Sequence, residues 1–152
     1  MSIKSLKDNL TIVIPSKNES RNLYDCIYNI SKQLFIAGTR IIIADASDNK
    51  ESLKWIKRTE KDFGHSLKIE VIEGGFPSEG RLNGSKLVTT PYVLFLDADI
   101  FLTNQSILKE CLEYEKGLVT VPFYTDKPYR WVFRIFDPVS YTHLTLLTKR
   151  IV

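Results

Sequence analysis

Short apolar runs alternate along the chain with segments whose apolar residues recur at helical spacing. The apolar runs are LTIVIP at 10–15, RIIIADAS at 40–47, LKIEVIE at 67–73 and YVLFL at 92–96. A short continuous apolar run is typical of a buried strand, and the alternation in LKIEVIE is typical of a half-buried one. The pattern therefore predicts four strands in this part of the chain.

Two well-marked helices are predicted between these strands. In 20–35, apolar residues fall at positions 23, 27, 30 and 34, and either Asn18 or Ser20 is available as the N-cap. In 49–63 a second helix begins after a cap at Asp48 or Asn49.

The later elements are marked less strongly. Glycine and proline in GGFPSEG predict a loop at 74–80, and a short helix within 78–90 follows, weakened by its two glycines. A helix near 105–114 and a strand at 117–124 complete the pattern.

The alternation of strand and helix predicts an α/β fold, with a mostly parallel sheet and helices on both faces. In such sheets ligands bind beyond the carboxyl ends of the strands. Polar residues follow each of the four strands, at 16–20, 45–49, 74–81 and 97–99. We therefore expect the functional site at this edge of the sheet.

Composition excludes several classes of protein. The chain has 152 residues, enough for one domain with a real core, and no apolar run approaches the ~20 residues that a membrane helix needs. The formal charge of +3 is scattered, which argues against a nucleic-acid partner. Two histidines exclude a histidine-rich metal site, and Cys26 and Cys111 are isolated, typical of reduced core residues. The N-terminus lacks the apolar centre of a signal peptide, so a cytoplasmic location is expected.

Asp97 and Asp99 follow the last of the four apolar runs directly, one residue apart. Two carboxylates at the end of a buried strand would repel each other and lose hydration, and a cation between them would remove both objections. Mg²⁺ or Mn²⁺ prefers oxygen ligands, and diphosphate oxygens would complete its octahedron. The motif alone is a weak signal, because a turn in which Asp99 caps a helix has the same sequence.

Three further polar residues near the strand ends each have two interpretations. Asp45 is either a turn or helix-capping residue, or an acceptor for a base N–H that selects uracil. Arg81 is either a solvated helix residue, or a donor to a base carbonyl or a phosphate. Glu19 is either a first-turn acid favoured by the helix dipole or a part of the site.

The motifs TIVIPSKNES, IIIADASDN and GRLNGSKLVTTPYVLFLDADIFL occur in an order and spacing that resemble the nucleotide-binding half of a family 2 glycosyltransferase with the GT-A fold. The resemblance covers residues 10–124. It implies transfer of a sugar from a UDP-sugar or another NDP-sugar to an acceptor hydroxyl, with inversion and with Mg²⁺ or Mn²⁺. By the same resemblance Asp45 and Arg81 contact uracil, Asp97 lies near the ribose, and Asp99 binds the metal that bridges the diphosphate.

The first loop of such enzymes is shaped, by this resemblance, by Pro15 and Glu19. The sequence departs from the family pattern in two places. Ala44 stands where the family often has the first of two aspartates, and the usual Arg-Asn-x-Gly reads RLNG at 81–84, so that Asn83 is displaced by one position.

Family members also carry an acidic general base in a later half, where it deprotonates the acceptor hydroxyl. Asp126 and Asp137 are the only acids after Glu115, and both lie too close to the DxD motif to be that base. We therefore expect the catalytic residue in a C-terminal half that this chain lacks. The chain itself is expected to bind nucleotide weakly and not to catalyse transfer.

The last segment, VSYTHLTLLTKRIV at 139–152, resembles a translated sequencing-library adapter whose translated form reads VSYTHLTLPT. Leu147 stands where that form has proline, a change that one base can produce. We therefore expect 1–138 to be an incomplete nucleotide-sugar-binding domain and 139–152 a non-native tail, which is left out of fold reasoning. A genuine polar and apolar tail is the alternative.

The segment KPYRWVFRIFD at 127–137 mixes aromatic residues with two arginines. It predicts either a core-packing element of a complete enzyme or an interfacial segment on an anionic membrane. The second interpretation would make the protein peripheral to the inner face of the cytoplasmic membrane, where many such enzymes meet lipid-linked acceptors for envelope polysaccharide. The acceptor is otherwise unknown, a saccharide or a lipid-linked one.

Three other functions are alternatives to this one. A nucleotidyltransferase that makes NDP-sugars normally opens with a glycine-rich phosphate loop, and IPSKNES contains no glycine. A dinucleotide-binding dehydrogenase fails because the chain has no GxGxxG. A non-catalytic nucleotide-binding module stays open, although the intact Asp45, Asp97 and Asp99 speak against it.

Overall fold

A computed structural model of the chain describes residues 5–102, 104–113, 118–120 and 145–148. Strands and helices alternate through most of this range, as the apolar pattern predicts. In chain order the elements are β1 (Leu10–Ser16), α1 (Arg21–Ser31), β2 (Arg40–Asp45), α2 (Lys50–Phe63), β3 (Lys68–Glu73), α3 (Pro77–Lys86), β4 (Tyr92–Phe95), α4 (Ile107–Glu113), β5 (Leu118–Thr120) and β6 (Thr145–Thr148).

The strands form a single sheet in the order β3-β2-β1-β4-β6-β5. The first four strands are mutually parallel, and β6 runs antiparallel to both of its neighbours. The prediction of a mostly parallel α/β sheet is therefore confirmed. Because β1 pairs on both sides, with β2 and with β4, its backbone groups are satisfied in the middle of the sheet.

The core lies on both faces of this sheet, which confirms the prediction of helices on both sides. On one face Ile12 and Ile14 pack with Leu23, Ile56 and Leu108, that is, with α1, α2 and α4. On the opposite face lies the smaller group of Val13, Ile42, Val88 and Val93, beside α3. Neighbouring residues of β1 thus point to opposite faces, which is the period of two expected for a strand.

One of the caps predicted for α2 is confirmed, and one of those predicted for α1 holds the N-cap position without a capping bond. The side chain of Asn49 accepts a hydrogen bond from the Ser52 backbone N–H at 2.7 Å. Ser20 is the N-cap residue of α1, as predicted, but makes no side-chain capping bond. Its hydroxyl pairs instead with the Ser52 hydroxyl in α2 at 3.0 Å, and Asn18 accepts from the Asp48 N–H, in the loop before α2, at 3.1 Å.

The predicted short helix within 78–90 is found as α3, which begins one residue earlier, at Pro77, and so takes in part of the loop predicted at 74–80. Proline fits the first helical position because its missing N–H has no intrahelical partner there. The Glu79 carboxylate accepts from the Phe76 N–H at 2.8 Å and closes the first turn. The glycine and proline content therefore marks a helix start as well as a loop.

The prediction of a non-native tail bears on β6. Residues 145–148 lie within that segment, and their backbone pairs with β4 and β5. An open sheet edge accepts a main chain of any origin, so the status of 139–152 stays a prediction. The boundary at 138, the segment 127–137 and residues 121–124 of the last predicted strand lie outside the described residues.

Two further predictions concern burial and membranes. Both cysteines, Cys26 and Cys111, are free and buried, as expected of core residues. Among the described helices none combines the length and the apolarity that crossing a membrane requires.

The close approach of α3 to the sheet predicts a stability effect at Gly84. A Cβ at this position would overlap a γ-methyl of the fully buried Val13. We expect Gly84→Val to lower the free energy of unfolding by about 2 kcal/mol through overpacking. Lys86→Val, at an exposed position of the same helix, carries a helix-propensity cost that Gly84→Val does not, and should still lower it by less than about 1 kcal/mol. Urea unfolding measures both, and equal losses would contradict this packing.

Candidate functional site

A pocket of about 290 Å³ lies at the carboxyl edge of the parallel strands, where the polar clusters were expected to meet. Its walls come from the end of β1 and the loop after it, from the start of α3, and from the segment after β4. The lining residues are Pro15, Ser16, Lys17, Glu19, Gly75, Pro77, Arg81, Asp97, Ala98 and Asp99.

Strand register brings these residues to one level. Val13 pairs with Phe95, and the Leu96 N–H donates to the Val13 carbonyl at 3.1 Å. Continuing this register by two residues sets Asp97 beside Pro15. On the other side of β1, Ser16 pairs with Asp45. The ends of β1 and β4 therefore meet at the pocket, and the end of β2 lies beside it.

Arg81 and Asp97 form an ion pair across the pocket. The arginine reaches over from α3, whose Gly80 packs against Pro15 and Ala44 and so permits the close approach. The two side chains are 37% and 24% exposed, so this pair is partly shielded from water. The interpretation of Arg81 as a merely solvated residue is therefore wrong, because its guanidinium is engaged within the pocket.

Asp99 is the exposed member of the two aspartates. It stands in a turn closed by a hydrogen bond from the Ile100 N–H to the Asp97 carbonyl at 3.1 Å. The next helix begins only at Ile107, so Asp99 caps no helix. Its carboxylate has no hydrogen-bond or ion-pair partner among the described residues.

The donor set fits a divalent cation of the kind that the motif predicts. Asp99 offers open oxygen atoms beside the carboxylate of Asp97, and oxygen is the donor that Mg²⁺ and Mn²⁺ prefer. Within the part of the chain that the structure describes, no three acidic, histidine or cysteine side chains cluster closely enough to hold a metal. The arrangement suits a cation that takes one or two carboxylates and completes its shell with phosphate oxygens and water.

The first loop contributes more residues than sequence reasoning identified. Pro15 and Glu19 line the pocket as expected, and Ser16 and Lys17 line it with them. The Ser16 hydroxyl is buried and has no hydrogen-bond partner among the described atoms. The polar run at 16–20 after β1 was the signal that could have identified both residues.

Asp45 is the one predicted site residue that does not line the pocket. It stands next to the pocket, opposite Ser16, at the end of β2. Its carboxylate accepts from the Ser47 N–H at 3.1 Å and from the Ser47 hydroxyl at 2.7 Å. Asp45 thus has the turn contacts of its first interpretation, and its partly exposed carboxylate retains acceptor capacity for a second partner.

A buried thiol lies directly beneath the two aspartates. The Cys26 Sγ atom is 4.0 Å from the backbone carbonyl oxygen of Asp97. Burial, and after it the negative charges of Asp99, Asp97 and Glu19, raises the pKa of Cys26 from 9.0 to about 12. The thiol is therefore neutral at physiological pH and takes the part of a packing residue rather than a nucleophile.

Comparison with known proteins agrees with this geometry. Residues 11–147 match the family model described as Glycosyl transferase family 2. No curated protein sequence matches the chain.

Solved structures resemble the chain at low sequence identity. A mannosyltransferase, PcManGT from Pyrobaculum calidifontis in complex with GDP-Man and Mn²⁺, is 16% identical with a TM-score of 0.70, over 92% of this chain and 44% of that one. TarS 1–349 from S. aureus in complex with UDP-GlcNAc is 20% identical with a TM-score of 0.64, over 78% and 35%. These likenesses show the GT-A fold, and the chain spans less than half the length of either protein.

The buried state of the cysteines predicts their reactivity. Because the thiolate is the reactive form and burial raises the pKa of both thiols, we expect no labelling of the native chain by a thiol reagent at about pH 8. Both cysteines of the sequence should react in denaturant. The raised pKa of Cys26 also means that its share of the stability is present below pH 9.0 and is lost as pH rises toward about 12. Rapid labelling of a native thiol would contradict this burial.

Proposed function

The chain belongs to glycosyl transferase family 2, and on this basis we propose that its pocket binds a nucleoside-diphosphate sugar. The observation that carries the proposal is the convergence of Arg81, Asp97 and Asp99 beside the first loop, at the carboxyl edge of β1 and β4. The solved relatives with GDP-Man and with UDP-GlcNAc support a nucleotide sugar as the ligand. The longer enzyme would transfer the sugar, a hexose or hexose derivative, to an acceptor hydroxyl.

We propose that Asp99 holds Mg²⁺ or Mn²⁺ together with the diphosphate. Its exposed carboxylate has no protein partner among the described residues and can take a ligand without breaking an existing contact. The bound cation would offset the negative charge that grows on the departing diphosphate. Asp97, held in place by Arg81, would accept a hydrogen bond from a ribose hydroxyl.

The nucleobase is proposed to lie toward β2. Asp45 stands at the end of this strand with spare acceptor capacity, and uracil presents one N–H donor that a carboxylate can take. Pro15 and the backbone of the first loop would form the wall beside the base. Arg81 would orient the base carbonyl or a phosphate from the opposite wall. Parallel titrations with UDP and GDP decide between the bases.

The transfer itself is proposed to proceed by direct inverting displacement, with a general base that lies outside this chain. The described part of the pocket contains three acids, Glu19, Asp97 and Asp99, and the last two are assigned to ribose and metal. The acceptor is proposed to be a saccharide or a lipid-linked one. If it is lipid-linked, residues 127–137 are the candidate for a peripheral contact with the inner face of the cytoplasmic membrane.

A non-catalytic nucleotide-binding module is the second candidate function. The observation that favours it is that the two acids lining the described pocket after β4, Asp97 and Asp99, are both proposed to hold the nucleotide and its metal. Such a module would bind nucleotide and metal through the same residues. It differs from a shortened enzyme in the absence of an acidic base in the remainder of the gene, which sequencing of the native locus through codon 138 determines.

The role of Asp99 is tested by nucleotide binding with and without metal. We expect Asp99→Asn to abolish the Mn²⁺-dependent gain in UDP or GDP affinity, because the amide removes the negative charge that holds the cation. Isothermal titration with and without Mn²⁺ measures this gain. Asp8→Asn is the matched control, since Asp8 is exposed near the start of β1, at the opposite edge of the sheet. An unchanged metal effect in Asp99→Asn would overturn the assignment.

Catalysis by the chain alone is expected to be absent. With UDP-GlcNAc or GDP-mannose and simple saccharide acceptors, nucleotide release should stay at the level of buffer with metal. The physical reason is that the described lining of the pocket contains no acid after Asp99 that could deprotonate an acceptor hydroxyl. Turnover above that level, lost in Asp99→Asn, would overturn the proposal that this chain is inactive.

A further inference from the structure

We propose that Asn29 is a positioning residue for Asp99, acting through the backbone of the segment that follows β4. This inference rests on the proposed function, because it assigns a role in metal binding. The segment between β4 and α4 has no regular structure over its described residues, so its conformation must be set by contacts from elsewhere. Those contacts come from the inner face of α1.

Asn29 binds the backbone of Leu102 in both directions. Its side-chain N–H donates to the Leu102 carbonyl at 3.0 Å, and its side-chain oxygen accepts from the Leu102 N–H at 2.8 Å. This pair of hydrogen bonds fixes the position and the orientation of the backbone on both sides of the Leu102 Cα, because neither bond survives a rotation of the amide. Asn29 is thus joined to the segment three residues after Asp99.

Two buried side chains hold the same segment against the core. Ala98 is 2% exposed and Leu102 is 7% exposed, and both belong to the larger core cluster. Asp99 lies between them and faces the pocket. On the near side, the Asp97 carbonyl lies 4.0 Å from the Cys26 thiol of the same helix. The exposed carboxylate therefore sits on a short span that is fixed at both ends to α1.

Gln33, two residues after the end of α1, continues this row of contacts. It is 5% exposed, its side-chain N–H donates to the Asn104 carbonyl at 2.7 Å, and its oxygen lies 3.5 Å from the Leu108 N–H at the start of α4. Cys26 and Asn29, three residues apart, lie on one face of α1. All three side chains therefore contact the segment after β4 from the same side, through Asp97, Leu102 and Asn104.

The consequence for metal binding follows from coordination geometry. Mg²⁺ demands near-ideal octahedral geometry, so a carboxylate displaced by a fraction of an ångström is a poorer ligand. Nucleobase contacts, proposed at the end of β2, do not depend on this segment. Loss of the Asn29 contacts should therefore weaken metal binding selectively and leave metal-free nucleotide binding nearly unchanged.

The test uses the full chain and compares Asn29→Ala with two controls. Asn22→Ala is the matched substitution on the exposed side of α1, where the side chain makes no described hydrogen bond. Ile56→Val trims a buried side chain of α2 and controls for lost stability. Free Mn²⁺ is measured by electron paramagnetic resonance at saturating UDP or GDP, whichever wild type binds. Nucleotide affinity is measured separately with a chelator present.

We expect Asn29→Ala to weaken Mn²⁺ binding about tenfold, the size typical of residues that orient a metal ligand. Metal-free nucleotide affinity should stay within about twofold, and Asn29→Asp, which retains the acceptor alone, should be intermediate. Unchanged Mn²⁺ affinity in Asn29→Ala, or an equal loss in Ile56→Val, would overturn the inference while leaving the proposed function standing. Absence of nucleotide-dependent Mn²⁺ binding in wild type would overturn the proposed function and this inference together.

Discussion

The parallel pairing of β1 with both β2 and β4 is the constraint on which the site depends. Six residue pairs join β1 to β2 and four join it to β4. A slip of one residue would turn Ile12 and Ile14 away from α1, α2 and α4 and would turn Val13 toward them, so the two-sided core fixes the register. With the register fixed, the carboxyl ends of the three strands coincide. The pocket lies between the ends of β1 and β4 and the start of α3, with the end of β2 beside it.

Charge within the pocket is arranged so that one carboxylate is satisfied and another is left open. Its lining holds three acids, Glu19, Asp97 and Asp99, and two bases, Lys17 and Arg81, a formal excess of one negative charge. The positive charge of Arg81 offsets the desolvation free energy of the partly buried Asp97 carboxylate. The remaining charges of the lining are those of Glu19 and Asp99, which are negative, and that of Lys17, which is positive. Such a surface repels a free anion, so the diphosphate proposed to bind here needs the positive charge of its divalent cation.

The periodicity of the sequence was sufficient to predict the four parallel strands, their direction and the edge of the sheet at which the pocket lies. It was sufficient because strands such as RIIIA and YVLFL are set by local burial, and their polar ends must fall at one edge. Three features were not predicted. Lys17 lines the pocket, Asn18 forms hydrogen bonds with the loop before α2, and Asn29 forms two hydrogen bonds with the backbone of Leu102. Each depends on a partner 29 to 73 residues away or on pocket shape, which local pattern does not encode. Asp45 was predicted correctly to lie at the carboxyl edge of the sheet. Its hydrogen bond from the Ser47 hydroxyl was not predicted, because it depends on the side-chain rotamers of both residues.

The first loop stores backbone strain at the point where it meets the pocket. Asn18 and Ser20 have positive φ angles of 56° and 48°, which asparagine tolerates and serine adopts with difficulty. Asn18 is held from the loop before α2, and Ser20 is held by Ser52 in the first turn of α2. The Asn18 N–H donates to the Ser47 hydroxyl at 2.8 Å, and that hydroxyl donates in turn to Asp45.

The strained loop and the carboxylate proposed to read the base are therefore parts of one hydrogen-bonded unit. A ligand that displaces Ser47 from Asp45 acts on Asn18 through the same hydroxyl. Because Lys17 and Glu19 flank Asn18 in the chain, such a displacement reaches the two charged residues that the first loop contributes to the pocket. The Asp45 carboxylate at the end of β2 is in this way linked to the charges beside β1 through a short series of hydrogen-bonded and sequence neighbours.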